Sequence, residues 1–144
     1  MILLDTNVIS EVMRIRPDPA VEAWLDAQPP DELWTASVVI AELISGIDLM
    51  PAGRRQRELR EAVEAMIRED FQDQILSFDL DAARCYGQIL CARQRMGRPM
   101  REMDAQIAAI ARVHGAALAT RDTGDFAFCD LKVVNPWASA GESR

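Results

Sequence analysis

Ile2, Leu3 and Leu4 make a short apolar run that stops on Asp5, and short apolar runs then alternate with longer amphipathic stretches along the chain. A run of this length predicts a buried strand. Val8, Ile9, Val12 and Met13 recur at helical spacing and predict a short helix, which Arg16-Pro17-Asp18-Pro19 must stop. Val21, Trp24 and Leu25 share one face of a second helix from Ala20 to Ala27, with Trp24 expected in the core. Pro29-Pro30 breaks it. Leu33-Trp34-Thr35-Ala36 reads as a second strand leading to Ser37, the expected cap of a third helix from about Val38 to Leu49.

Pro51-Ala52-Gly53 separates that helix from a charged one over roughly 54 to 69, whose Leu59, Val63, Met66 and Ile67 keep helical spacing. Ile75 to Phe78 predicts a third strand and Asp79 to Met96 a long helix ended by Gly97-Arg98-Pro99. A sixth helix starts near Asp104 and ends at His114-Gly115, with glycine where a helix terminates. Ala116 to Thr120 and Leu131 to Val134 are the fourth and fifth strands. Strands separated by helices imply crossovers. The expected fold is therefore α/β, with a mainly parallel five-stranded sheet covered on both faces.

Composition narrows this without changing it. A chain of 144 residues with 49% hydrophobic content fits one domain, expected over residues 1–137, followed by a polar tail over 138–144. No apolar run approaches the roughly 20 residues of a membrane span, and the start lacks a basic leader, so a cytoplasmic protein is expected. Cys85, Cys91 and Cys129 show no CxxC pairing and read as ordinary buried thiols. A formal charge of -7 excludes nonspecific coating of nucleic acid by overall basicity. Any polyanion site should be local. Arg84, Arg93, Arg95, Arg98 and Arg101 fall in a stretch with no acid, and guanidinium suits bidentate phosphate contact, although base composition can also favour arginine over lysine.

Four acids occupy repeated addresses in this outline. Asp5 follows strand one and Asp122 follows strand four, so both lie at the carboxyl edge of the sheet, where open α/β sheets bind ligands. Glu42 lies one turn into the helix leaving strand two, and Asp104 opens the helix that feeds strand four. Gathered carboxylates repel, and a divalent cation relieves them. Oxygen donors without nearby His or thiolate select Mg²⁺ or Mn²⁺, and such a site favours phosphodiester hydrolysis. Each acid also has a plainer reading. Asp5 and Asp104 can cap helices, Asp122 can be a turn residue, and Asp125 competes with it for the fourth place. Glu42 lies amid apolar neighbours and needs a partner or a route to water.

Leu4-Asp5-Thr6-Asn7, Ala41-Glu42-Leu43, Asp104 to Ala109, Thr120-Arg121-Asp122 with Asp125-Phe126, and Asn135-Pro136-Trp137 occur in that order. In these blocks, over nearly its whole length, the chain resembles the PIN-domain family, and within it the VapC-type toxins of the FitB-like subgroup. The resemblance implies a three-layer α/β/α fold and a Mg²⁺- or Mn²⁺-dependent endoribonuclease belonging to a type II toxin–antitoxin pair. It implies inhibition by a cognate antitoxin, dimerisation through helices, and contact with operator DNA only through the antitoxin. Metal binding carries over onto Asp5 and Asp104, with Glu42 and Asp122 completing the acidic cluster as ligands or water-positioning groups. Thr6, Asn7 and Thr120 fall in supporting places.

Arg98 and Arg101 precede Asp104 and are expected to hold RNA phosphates, whereas Arg84, Arg93 and Arg95 should merely solvate the long helix. His114, at a helix C-terminus, needs no catalytic role. Two other classes compete. A binding module on the same fold would engage antitoxin or RNA without turnover, but would have no reason to keep mutually repelling acids. A phosphoacceptor receiver domain would want an acidic pair after strand one and a lysine ending strand five, and Lys132 precedes that strand's apolar residues.

Overall fold

The computed structural model describes residues 1–138; all of the expected polar tail beyond Ala138 lies outside the described residues. Strand β1 (Ile2–Leu4) leads directly into helix α1 (Thr6–Val12), and α2 (Pro19–Asp26) follows with Asp18 capping it through the Ala20 N–H. Strand β2 (Leu33–Ala36) feeds α3 (Ser37–Asp48), and α4 (Arg54–Ala65) runs on into a wider π-helical turn at Met66–Asp70. Strand β3 (Ile75–Leu76), α5 (Leu80–Arg95), α6 (Glu102–Val113), β4 (Ala117–Ala119) and β5 (Val133–Val134) complete the order.

The five strands lie in the order β3-β2-β1-β4-β5, and every pairing is parallel. Helices flank the sheet in a three-layer α/β/α arrangement. The chain builds outward from β1 in one direction through β2 and β3, then returns to its other side for β4 and β5. That reversal between β1 and β4 is the switch point at which a crevice opens beyond the carboxyl ends of the strands. Leu3, Leu118, Val39 and Ile107 are wholly buried. Helix α6 is enclosed, with Ala105, Ile107, Ala108, Ala109, Ile110 and Ala111 all at 0% exposure. Its alanines permit the close approach to α5 and the sheet that fixes where its first turn, and Asp104 with it, emerges.

Several local expectations are corrected. Ser37 is the first helical residue of α3 and not its cap; Ala36 holds the cap position in extended backbone without a side-chain bond. Asp104 lies inside the first turn of α6, since the helix begins at Glu102. Cys91 is exposed, unlike Cys85 and Cys129. Arg93 is only 5% exposed, because it continues the buried stripe of Ala82, Cys85 and Ile89 along α5. Gly97 (φ +71°) and Gly115 (φ +63°) end α5 and α6 in the left-handed region that glycine tolerates. Trp24 packs against the core while remaining partly exposed. Among the described residues, no helix is long and apolar enough to cross a membrane.

Candidate active site

Pairing of β1 with β4 sets Leu4 beside Ala119, so the residues that follow each strand meet. The Asp5 N–H donates to the Ala119 carbonyl at 3.0 Å, which continues the ladder one step past the strand. The Asp5 side chain then does two things at once. Oδ1 accepts from the Thr6 N–H at 2.8 Å, capping α1, and Oδ2 accepts from the buried Thr120 hydroxyl at 2.7 Å. Capping leaves the carboxylate facing the crevice, so the two readings of Asp5 are compatible.

Asn7 and Thr6 extend this brace. Asn7 Nδ2 lies 3.0 Å from Asp122 Oδ2, 3.2 Å from Thr120 Oγ1 and 3.4 Å from Asp5 Oδ2, while Asn7 Oδ1 accepts from the Arg121 N–H. Thr120 Oγ1 also accepts from the Asp122 N–H at 3.1 Å. On the other side, the Thr6 hydroxyl donates to Glu42 Oε1 at 3.0 Å, giving that acid the partner its apolar neighbourhood requires. The three polar residues thus tie Asp5, Glu42 and Asp122 into one frame.

Asp5, Glu42, Asp104 and Asp122 line one open cleft of about 450 Å³, with Thr6, Asn7, Ser10, Glu11, Arg14, Arg101, Arg121 and Trp137. Asp125 is exposed and does not line it; its backbone N–H donates to the Asp122 carbonyl in a short turn. Burial pushes the Asp5 carboxyl above the ordinary carboxylate value; the Thr120 and Thr6 hydrogen bonds pull it part way back, and Glu42 and Asp122 push it up again. Asp104 is raised too, chiefly by burial. Arg101 opposes that rise, while Asp5, Asp125 and Asp122 add to it. These groups hold charge reluctantly.

Only oxygen donors face the cleft from the acids, which suits a hard divalent cation that would remove this mutual repulsion. Among the described residues, no three His, Cys, Asp or Glu side chains are gathered closely enough to ligate one ion together. The acids stand around the walls instead of closing on a point. An ion there would take few carboxylates and complete its shell with water, the usual habit of Mg²⁺.

Of the two arginines expected near the cleft, Arg101 lines it and Arg98 does not. The Arg98 guanidinium lies over the Phe128 ring, 5.1 Å from its centre. Arg14, Arg121, Glu11 and Trp137 were not singled out by the sequence reading. A signal for two of them was present: Asn7 and Glu11 share the polar face of α1, opposite Val8, Ile9 and Val12, and Arg14 keeps the helical interval just past the end of that helix. Arg121 stands between two residues of the frame. Trp137 stands in the Asn135-Pro136-Trp137 block, but only the fold brings it to α1.

Comparison with known proteins places the fold in a family. The PIN domain family model matches residues 2–132. The chain is 45% identical over 137 residues to the plasmid stability protein StbB of Pseudomonas syringae, covering 95% of this chain and 99% of that one. It is 41% identical to the VapC ribonuclease Y4jK of Sinorhizobium fredii, covering 97% and 100%, and 41% identical to the toxin FitB of Neisseria gonorrhoeae, covering 95% and 99%. The solved structure of FitAB bound to an IR36 DNA fragment superposes with a TM-score of 0.90 at 40% identity, covering 96% of this chain and 97% of that one. The family match and these likenesses run along almost the full chain, and the chain belongs to the PIN-domain family, in its VapC and FitB branch.

Proposed function

We propose that this protein is the endoribonuclease toxin of a toxin–antitoxin pair, hydrolysing RNA phosphodiester bonds in the acidic cleft with the help of Mg²⁺ or Mn²⁺. The observation that carries the reading is the joint frame of Asp5, Glu42 and Asp122, braced by Thr6, Asn7 and Thr120, with Asp104 facing the same cleft. Its likeness to a protein named as a VapC ribonuclease and to one named as a toxin supports both halves of the proposal.

In this reading Asp5 and Asp104 hold the cation, with Glu42 and Asp122 either completing its shell or positioning the attacking water. The ion supplies positive charge to the phosphoryl transition state and acidity to water. The chain's own residues do the rest. Thr6 fixes the direction of Glu42, Asn7 fixes Asp122, and Thr120 keeps Asp5 aimed and opposes the rise of its carboxyl. Arg101, on the same cleft, holds an RNA phosphate so that the chain of like charges is brought past the acids.

The partners follow from the same reading. A cognate antitoxin blocks the cleft and brings the complex to operator DNA, the toxin itself being acidic and touching DNA only indirectly; the FitAB structure with a DNA fragment supports an association of such a complex with DNA. A homodimer acting in the cytoplasm is part of the proposal. The test is to incubate the purified protein with a panel of structured RNAs in Mg²⁺, in Mn²⁺ and in EDTA, beside Asp5→Asn. Cleavage confined to the wild type with metal supports the reading. Cleavage that survives EDTA or the substitution refutes the metal mechanism, and RNA bound across the panel without cleavage indicates a binding module.

A further inference from the structure

Glu11 is a buried carboxylate, 5% exposed, that the hydrolytic chemistry does not use. It sits on the polar face of α1 at the wall of the acidic cleft, and its partners say what it holds. Arg14 Nη1 lies 3.2 and 3.4 Å from its two oxygens, and the Trp137 indole N–H donates to Oε1 at 3.3 Å. The Arg121 guanidinium lies over the Trp137 ring, 4.9 Å from its centre. Arg14, Arg121 and Trp137 all line the cleft that contains Asp5 and Asp104.

We propose that Trp137 and Arg121 form the platform on which a nucleobase of the RNA stacks beside the scissile phosphate, with Glu11 the positioning residue that fixes the indole. This deepens the ribonuclease reading and rests on it. The indole edge has its one donor committed to Glu11, so the ring offers a π surface with no spare hydrogen bond to read a base. Unstacked bases of single-stranded RNA are held in this way, on aromatic rings and on guanidinium planes, with little dependence on base identity. Arg14 and Arg101 supply cations for the flanking phosphates from two other walls of the same cleft. The platform adds grip to a strand that the four acids would otherwise repel, and it selects single-stranded over paired substrate.

A merely structural Trp137 would close the fold and contribute nothing to base contact. Trp24→Phe with Trp34→Phe leaves Trp137 as the sole tryptophan, and Asp104→Asn in the same chain stops turnover. A short single-stranded oligoribonucleotide of mixed sequence, and an abasic strand of equal length, are then titrated while Trp137 fluorescence is followed. The RNA should quench Trp137 and bind about tenfold tighter than the abasic strand. Trp137→Leu should abolish that preference while leaving abasic binding unchanged, and Trp137→Phe should keep most of it. Arg121→Ala, an exposed change, should reduce the preference even if Trp137→Leu does not fold.

With Asp104 restored, Trp137→Phe and Arg121→Ala should raise KM more than they lower kcat. Equal affinity for RNA and abasic strand, or a preference unchanged in Arg121→Ala and in a folded Trp137→Leu, with RNA still cut by the wild type, overturns the platform and leaves the ribonuclease reading standing. Failure of the wild type both to bind and to cut any RNA removes the reading and the platform together.

Discussion

Thr120 donates its hydroxyl proton to Asp5 at 2.7 Å across the seam between β4 and β1, in a place where neither residue can turn to water for a substitute. The bond joins residues 115 positions apart and lowers a carboxyl that burial has raised. Thr120→Val keeps the shape and removes the hydroxyl, leaving Asp5 Oδ2 and the Asp122 N–H each short of a partner. Stability should fall by about 1–3 kcal/mol in urea unfolding. Since the lost bond favoured the ionised form, the Asp5 carboxyl rises further, and the acid limb of the activity profile moves to higher pH.

Asp104 takes part in no side-chain hydrogen bond among the described residues, yet its carboxyl is raised by burial and neighbouring acids. A raised folded-state value means that the folded chain binds more protons than the unfolded one between the ordinary carboxylate value of about 3.9 and the raised one. Stability from this group is therefore full below that window and declines as pH rises through it. Asp104→Asn escapes the decline. The metal-free variant should melt above wild type at neutral pH, a gap that closes on acidification, while RNA cleavage is lost. A variant that melts lower at neutral pH would contradict the sign.

Metal should reverse that order. Mg²⁺ or Mn²⁺ added in excess should raise the Tm of the wild type, because a ligand bound only by the folded state adds stability with concentration. Asp104→Asn and Asp5→Asn should show little of the rise. Differential scanning fluorimetry across a metal titration, with EDTA as the reference, measures this without any RNA.

Arg101 faces the cleft on an exposed guanidinium. Arg101→Ala should weaken RNA binding uniformly across sequences and reduce the slope of log affinity against log salt by about 1, the loss of a single phosphate contact. Filter binding at several salt concentrations reads this directly. Arg98→Ala, whose side chain lies over Phe128 instead, should leave the slope nearly unchanged.

Arg93 is a buried cation whose partners are backbone carbonyls: Arg98 at 2.6 Å from Nε, with Asp125 at 2.9 Å and Ala127 at 2.7 Å from Nη1. It therefore fastens the loop before α6 to the turn after β4. Arg93→Ala leaves these carbonyls without their donor and should cost about 2–4 kcal/mol in urea unfolding. Hydrogen exchange should quicken in residues 96–101 and 123–129 before it does in the sheet.

The layout of the acids was legible because it depends on strand order, which short apolar runs and intervening helices betray. Asp5, Asp104 and Asp122 each stand at or beside an end of an element, with Glu42 little more than a turn into α3, and a parallel sheet sends such places to one edge. What escaped depends on the side of a helix or on distant closure. Arg93 looked like surface because it lies in an arginine-rich stretch, whereas its spacing from Ala82, Cys85 and Ile89 puts it inside. Trp137 reads as the close of the fold until the structure brings it to Glu11, 126 positions away. Ser37 was assigned the cap because serine favours that role, but β2 passes straight into α3 and leaves no turn for it to occupy.

The central place of β1 has a temporal meaning as well. It is made well before one of its two neighbours, β4, which lies more than a hundred residues later, and Asp5 gains its Thr120 partner only then. At about 5–20 residues per second, a growing chain spends several seconds or more carrying Asp5 without the residues that aim it. The cleft thus draws its two sides from segments 115 positions apart, and any stretch of the chain that lacks either segment lacks the bond that joins them.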